Sequence, residues 1–410
     1  MPNRDEKMQE LNLIQNKSDV PLILFGARNI GEMTYHACKK LGIKVKCYTD
    51  DKIKGSLNGL NIYHTNELNK RFPKARFLIC SANIQDMVER LNQLGYDDWY
   101  SCGFVLNGFE AKPEHCKNEV DYEQDYVDYL LSTCIIAHQS FMNPSKLFIK
   151  NVDLVITEKC SMACVDCANL MPYFEKPRNY TFEALKYSID IMSTYFDEIA
   201  EVRVIGGEPF MNKDFAKIVE MLSVKKNIMR IAIYTNGTIV PNDEKIKSLE
   251  NEKVFLYITD YDELSRNLKK LEEKLKEKNI FHYIHKAAGW TDCATIKKFN
   301  RTTEQNINLF KNCCAKNLAT LSEGKIFRCP FAASAFQLKG IPDDPDDYID
   351  IVNLYENEIK PEKIRRAIST YLFEKDYIPA CDFCSGRSYG DPEIKPATQT
   401  KEKIPYKKYE

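Results

Sequence analysis

Thr157-Glu158-Lys159-Cys160-Ser161-Met162-Ala163-Cys164-Val165-Asp166-Cys167 closes an apolar run, 152–157, of strand type and sets three cysteines in a Cys-x3-Cys-x2-Cys spacing just past its end. In βα folds the loops beyond the carboxyl ends of strands carry the active site. Three thiolates on one short loop can each reach a different iron of a single cubane. The fourth iron then lacks a protein ligand, which is the open position that catalysis requires. A zinc site would want a fourth Cys or His at finger-like spacing, and His138 and His282 are distant in sequence.

Outward from this stretch, apolar runs near 152–157, 201–205, 230–235, 253–258 and 280–285 alternate with helical patterns, notably Phe182–Phe196, Phe215–Leu222 and Glu263–Lys278. Five or more parallel βα units over 151–290 predict an α/β fold, a partial or complete βα barrel, taken as a partial (β/α)6 barrel. The second strand ends at Gly206-Gly207-Glu208-Pro209, where two glycines allow close backbone approach and the glutamate supplies an acceptor. The third ends at Tyr234-Thr235-Asn236-Gly237-Thr238, which also suits an Asn-Gly turn. The fourth ends at Thr259-Asp260, equally suited to a helix N-cap. His282 and His285 fall on opposite faces of the fifth strand, so at most one points inward. Either histidine or Trp290 could line a pocket.

These motifs resemble the radical SAM superfamily. The resemblance implies a [4Fe-4S] cluster on Cys160, Cys164 and Cys167, with S-adenosylmethionine on the open iron. It implies cofactor contacts at Gly206, Gly207, Glu208 and Pro209, whose family counterparts receive the methionyl ammonium, and at Thr235, Asn236 and Asp260. The family often places an aromatic residue before the third cysteine, where this chain has Asp166. The chemistry implied is reductive cleavage of the sulfonium to a 5′-deoxyadenosyl radical that takes a hydrogen atom from substrate. The protein holds the target carbon and excludes other hydrogen donors. A flavodoxin or ferredoxin is the implied electron donor.

Beyond residue 290 the regular alternation stops. Cys314 is followed by nine residues, Gly324, four residues and Cys329; Cys381-Asp382-Phe383-Cys384 comes later. A hairpin with a glycine turn would bring Cys314 and Cys329 together. Four thiolates from the two pieces could close around a cubane, or around zinc. The spacing resembles the Twitch domain, a shortened SPASM extension, which implies an auxiliary [4Fe-4S] cluster on Cys314, Cys329, Cys381 and Cys384. Cys313 could replace Cys314. Cys293 and Cys313 are the spare thiols, either a candidate hydrogen-atom donor or a small buried residue. The extension is taken as a cysteine-rich α+β domain over 291–390, with a polar tail at 391–410 that wraps the surface or frays.

Residues 1–105 read as a small Rossmann-like parallel-sheet domain, with strands at 21–25, 45–49 and 76–81 and helices through Leu41 and Leu94. A helical connector follows at 106–150, with helical spacing from Tyr122 to Leu131 and a break at Asn143-Pro144-Ser145. Gly26-x-Arg28-x-x-Gly31 is a partial dinucleotide fingerprint, with Asp50 or Asp51 about 20 residues on as the ribose acid. Arg28 replaces the middle glycine and could meet a phosphate instead. Similar domains accompany polysaccharide and nucleotide-sugar enzymes, which suggests a sugar or nucleotide-linked sugar substrate and an oxidation or epimerisation. The alternatives are a peptide maturase of the same superfamily and a non-catalytic zinc scaffold.

The balance of 58 basic against 59 acidic residues predicts no general affinity for nucleic acid. Of the 410 residues, 44% are hydrophobic and 29% charged, as in a soluble protein of two or three domains. The start, Met1–Lys7, has no apolar signal core, and no run approaches a membrane span. A cytoplasmic location is expected. Fifteen cysteines in that setting point to metal or redox chemistry before disulfides. Cys38, Cys47, Cys80, Cys102, Cys116 and Cys134 are read as buried apolar residues.

Overall fold

The computed structural model describes residues 11–15, 19–116, 124–143, 146–388 and 390–410, apart from the side chain of Asp125. The opening segment, Tyr122 and the Pro144-Ser145 break lie outside them. The chain forms two compact units, Met1–Lys146 and Leu147–Glu410. Among the described residues no helix is long and apolar enough to cross a membrane.

Unit one is a six-stranded sheet, ordered β3-β4-β2-β1-β5-β6, from β1 (Leu22–Phe25), β2 (Cys47–Thr49), β3 (Gly55–Leu57), β4 (Leu60–Tyr63), β5 (Arg76–Ile79) and β6 (Trp99–Ser101). All pairings are parallel except the β3–β4 hairpin. That hairpin turns on Asn58 and Gly59, both at positive φ, the conformation an Asn-Gly pair adopts most cheaply. Helices α1 (Asn29–Lys40), α2 (Ile84–Gln93) and α3 (Gln124–Phe141) complete the unit.

Unit two is built on β7 (Phe148–Thr157), β8 (Glu198–Gly206), β9 (Ile228–Thr235), β10 (Val254–Asp260) and β11 (His282–Lys286), all parallel and neighbours in that order. They alternate with α4 (Phe182–Tyr195), α5 (Phe215–Ser223), α6 (Asp243–Ser248) and α7 (Leu268–Glu277). The expected six-stranded parallel array is realised with its sixth strand from elsewhere. β12 (Ala319–Ser322), past the cysteine-bearing boundary, joins in parallel beside β7. β13 (Lys325–Phe327) and β14 (Tyr348–Asp350) then extend the sheet antiparallel. Helices α8 (Thr303–Asn312) and α9 (Pro330–Gln337) flank this hairpin.

Register divides the strands of unit two into unlike faces. Val152, Leu154, Ile156, Val202, Val204, Ile231, Ile233, Leu256 and Ile258 share the face that packs into the main core with Leu185, Ile189 and Ile218 of the helices. The other face carries Asn151 and Asp153 opposite Glu201 and Arg203, then Arg230 and Tyr234, Tyr257 and Thr259, and Tyr283 and His285. A sheet covered on both faces by helices would be apolar on both. This one is polar where a barrel has its lumen.

Candidate cluster and cofactor site

The cysteine loop leaves β7 through a register shift between Val155 and Thr157. Its shape is held by side chains from neighbouring strand ends. Asn236, just past β9, directs Nδ2 to Ser161 Oγ at 3.3 Å and to Cys160 Sγ at 3.8 Å. Thr238 and Ser161 share a hydroxyl hydrogen bond. The glycines after β8 serve the same loop. A Cβ on Gly206 would stand 2.1 Å from Thr157 O, and one on Gly207 would stand 2.2 Å from Lys159 O and 2.7 Å from Cys160 Cβ. Gly207 N donates to Thr157 O at 3.0 Å and Glu208 N to Lys159 O at 2.8 Å. Both glycines let the two strand ends touch, a requirement fixed by this chain itself.

Glu208 is fully buried. Its carboxylate accepts from Thr235 Oγ1 at 2.9 and 3.0 Å, from Asn236 N at 3.0 Å and from Phe210 N at 3.2 Å. Burial pushes the carboxyl up to about 7, against the pull of these donors. The acid of the Gly-Gly-Glu-Pro turn thus ties β8 to β9, and Thr235 is spent on the same task. Asp260 accepts from Asp262 N at 2.8 Å and sits 3.8 Å from Lys286 Nζ.

The tail takes part. Residues 391–410, expected to wrap the surface or fray, are pinned at several points. Val165 N donates to Thr398 O at 2.8 Å and Thr400 N to Ala163 O at 2.9 Å. Gln399 accepts from Ala163 N at 2.8 Å and donates from Nε2 to Cys164 Sγ at 3.2 Å. Ile394 pairs with Trp290. Tyr406 OH donates to Leu338 O and Tyr409 N to Lys339 O. N–H donors thus point at two of the three loop sulfurs, the surroundings that suit thiolate ligands. The residues present fit an iron–sulfur cluster.

The Radical SAM superfamily profile matches residues 154–291, the segment that holds this loop and β7 to β11. That segment is a radical SAM domain. Curated relatives include GTP 3′,8-cyclases from Campylobacter jejuni subsp. doylei, 26% identical over 97 residues, and Clostridium acetobutylicum, 29% identical over 104 residues. The first covers 24% of this chain and 30% of that protein; the second, 23% and 31%. The chain therefore spans about a third of the length of the curated relatives it matches. Among solved structures, BtrN in complex with AdoMet and 2-DOIA overlaps 62% of this chain and 97% of its own at 15% identity and a TM-score of 0.40. Streptococcus suis SuiB bound to its precursor peptide SuiA overlaps 72% and 59% at 13% identity and 0.30. Neither overlap is close enough to carry an argument.

The expected hairpin lies between Cys314 and Cys329 in the chain. β12 and β13 turn on Glu323 and Gly324, both at positive φ, with Ser322 opposite Lys325. A two-residue turn of this kind matches the twist of the strands and fixes their register. Cys314 precedes the hairpin, and Cys329 follows it as the N-cap of α9, accepting from Ala332 N at 3.4 Å. Cys381 and Cys384 lie at a tight turn, Cys384 N to Cys381 O at 3.3 Å, with Gly386 N on Cys384 Sγ at 3.4 Å. Arg301 clamps that turn through the carbonyls of both cysteines at 3.1 and 3.0 Å. The Cys329, Cys381 and Cys384 thiols feel one another, and Cys313, hydrogen-bonded to Cys314, feels Cys329. Of the adjacent pair, Cys313 is thus the one within electrostatic reach of the set. Cys293 is buried between the two groups, within electrostatic reach of Cys167 and Cys314.

Tetrahedral zinc with Zn–S near 2.3 Å needs sulfurs about 3.8 Å apart. Among the described residues, the three-residue group with ligand atoms all within 4.8 Å of one another is Cys102, Cys134 and His138 of unit one. There His138 Nε2 lies 2.8 Å from Ser81 O and Nδ1 2.7 Å from Ser101 Oγ. One nitrogen donates and the other accepts, so the ring offers no lone pair to a cation. The trio is packed core.

The partial fingerprint of unit one is consumed by its own backbone. A Cβ on Gly26 would stand 2.6 Å from Cys80 O, and one on Gly31 would stand 2.0 Å from Gly26 O. Asp50 accepts from Ala27 N at 2.9 Å and from Lys52 N and Ile53 N at 2.8 and 3.0 Å. Arg28 is exposed and offers α1 no side-chain cap. His282 holds Ile280 O at 2.9 Å; His285 sits 3.3 Å from Thr259 Oγ1, on the polar face. That face, together with Gln399 and Arg387, is what the motif search missed. The alternation Glu201-Val202-Arg203-Val204 was its readable signal.

Proposed function

We propose that this radical SAM protein performs a radical oxidation or epimerisation of a small polar molecule, a sugar or nucleotide-linked sugar of glycan biosynthesis. It would use two [4Fe-4S] clusters, on Cys160, Cys164 and Cys167 and on Cys314, Cys329, Cys381 and Cys384, with a flavodoxin or ferredoxin as reductant. The observation that supports this reading is the polar face of the parallel strands. Arg203 pairs with Asp153 and stacks 5.4 Å from the Tyr234 ring. Tyr234, Tyr257 and Tyr283 follow one another across β9, β10 and β11 at 5.0 and 5.4 Å between centroids, with His285 4.6 Å from Tyr257. Donors, acceptors and aromatic faces in alternation suit a hydroxyl-rich ring; an apolar substrate would leave them unpaired.

S-adenosylmethionine, when bound, supplies the radical that takes the hydrogen atom. The chain's own residues orient and exclude. Asn236 and Gln399 hold the cysteine loop, Glu208 locks the ends of β8 and β9, and the three tyrosines wall the face below. Asp153 and Arg203 are mutually neutralised, so the lumen carries polarity without a bare charge.

The deciding experiment is an anaerobic assay of 5′-deoxyadenosine with dithionite and S-adenosylmethionine. A nucleotide-sugar or sugar panel is expected to raise release at least about tenfold with one member. Cys160→Ala, Cys164→Ala or Cys167→Ala should abolish release; Cys381→Ala with Cys384→Ala should leave basal cleavage but stop product formation. Stimulation by peptides alone overturns the substrate class, and iron for a single cluster overturns the second site.

A further inference from the structure

Arg387 is placed by the second cysteine set, and one nitrogen of its guanidinium finds no hydrogen-bond partner there. Its carbonyl accepts from Cys314 N at 2.8 Å, and the next residue, Ser388, bridges to Cys313. The backbone thus fastens it beside the hairpin cysteines, three positions beyond Cys384. Its Nε is buried and has no hydrogen-bond partner. Around it lie the thiols of Cys293, Cys313, Cys314 and Cys384 within electrostatic reach, with Cys167, Cys329 and Asp153 also sensing its charge.

Arg301 and Arg328 of this region have carbonyl partners, although the Nε of Arg328 is likewise unpartnered. Arg301 donates to two carbonyls, and Arg328 donates to the carbonyls of Lys316 and Tyr371 at 2.8 and 3.0 Å. A cation with a buried, unpartnered N–H is costly to hold. Neutral thiols are poor acceptors and do little to offset it. Thiolates do far more, because the pairing becomes charge-assisted. A cluster on the cysteines beside Arg387 would bring thiolate sulfur to the side of the chain where its Nε has no partner.

We propose that Arg387 is a positioning residue that holds the second, all-thiolate cluster at a raised reduction potential, so that it can take one electron from a substrate radical. The proposal rests on the two-cluster reading above and deepens its oxidation branch. Reduction adds a negative charge to a group that is already an anion, so a fixed cation nearby favours the reduced form. In the balance, substrate gives one hydrogen atom to the 5′-deoxyadenosyl radical, forming 5′-deoxyadenosine, one proton to solvent and one electron to this cluster. A ferredoxin- or flavodoxin-type carrier then accepts that electron.

The test is an EPR-monitored redox titration of the full chain, reconstituted anaerobically, after iron and sulfide are counted. Arg387→Met and the neutral near-isostere Arg387→Gln should each weaken reduction of the second cluster at least about tenfold, a midpoint about 59 mV more negative for one electron. Arg387→Lys should recover most of that shift. An unmoved midpoint in either neutral variant with both clusters present overturns the proposal. So does failure of both neutral variants to assemble the second cluster while Arg387→Lys assembles it, because that marks a purely structural role. Iron for one cluster in the unaltered chain instead overturns the two-cluster reading beneath it.

Discussion

In unit one the first strand, β1, runs into Gly26 and Gly31; in unit two the first strand, β7, runs into the cysteine loop that Gly206 and Gly207 cradle. Both turns lie at the carboxyl ends of parallel strands. Both glycine pairs are fixed by backbone that passes within 2.0 to 2.6 Å of where a Cβ would be. Each turn also spends an acid on itself, Asp50 on Ala27 N and Glu208 on Asn236 N and Thr235. The difference lies in what the glycines press against. In unit one it is the carbonyls of Gly26 and Cys80, and the close packing ends there. In unit two it is Lys159 and Cys160, so the same packing sets the position of a metal ligand. A glycine motif therefore takes its meaning from its neighbour across the sheet.

That contrast can be broken by one methyl group. Gly207→Ala puts Cβ against Lys159 O at 2.2 Å and Lys159 C at 2.5 Å, backbone that cannot turn aside, and against Cys160 Cβ at 2.7 Å. The cysteine loop must move, and 5′-deoxyadenosine release should fall at least about a hundredfold, with iron lost from the first site. Gly31→Ala meets Gly26 O at 2.0 Å and should destabilise unit one by about 1–3 kcal/mol, seen in denaturant unfolding, while release by folded protein stays within about twofold. Equal loss of release in both would erase the distinction drawn here.

A smaller effect is expected at the strap. Gln399→Leu removes the N–H on Cys164 Sγ and the acceptor of Ala163 N. Partners of this sort are worth about tenfold to a hundredfold in metal affinity or activity, so release should fall about tenfold and the first cluster's midpoint should move to more negative potential. Among the described residues of unit one, the sulfurs of Cys102 and Cys134 hydrogen-bond to each other at 3.6 Å instead.

Much of this was legible before the structure, for physical reasons that also mark the limit. The five strands from β7 to β11 were visible because each is an apolar run bounded by turn residues, and Cys-x3-Cys-x2-Cys was visible because ligand spacing on one loop is local. The Gly324 turn was read correctly from its spacing to Cys314 and Cys329. What escaped depends on contacts distant in sequence. Gln399 reaches Cys164 across 235 positions, and no pattern in a Lys-rich tail announces it. β12 pairs with β7 because an edge was open there, not because of its own four residues. The β3–β4 hairpin was different: Leu57-Asn58-Gly59-Leu60 is a strong local turn signal that was passed over. β6 is three residues long, too short for an alternation to show.

The two hairpins give the finest form of the comparison. β3–β4 turns on Asn58-Gly59 and β12–β13 on Glu323-Gly324, with glycine at φ +75 and +77. A Cβ on Gly59 meets nothing within 4 Å, whereas one on Gly324 meets Val352 Cγ2 at 2.6 Å. Gly59→Ala therefore carries only the left-handed strain, about 1 kcal/mol, and should lower unit-one stability by that amount with no change in iron content. Gly324→Ala adds the clash with a β-branched side chain that has little rotamer freedom, so its cost should be about 1 kcal/mol larger. Because Cys314 and Cys329 flank that hairpin, the added strain should also appear as partial loss of iron from the second site, measured against a first site that keeps its share. Equal unfolding costs in the two variants, with iron untouched in both, would mean that the turn near the cysteines is held no more tightly than the one that carries none.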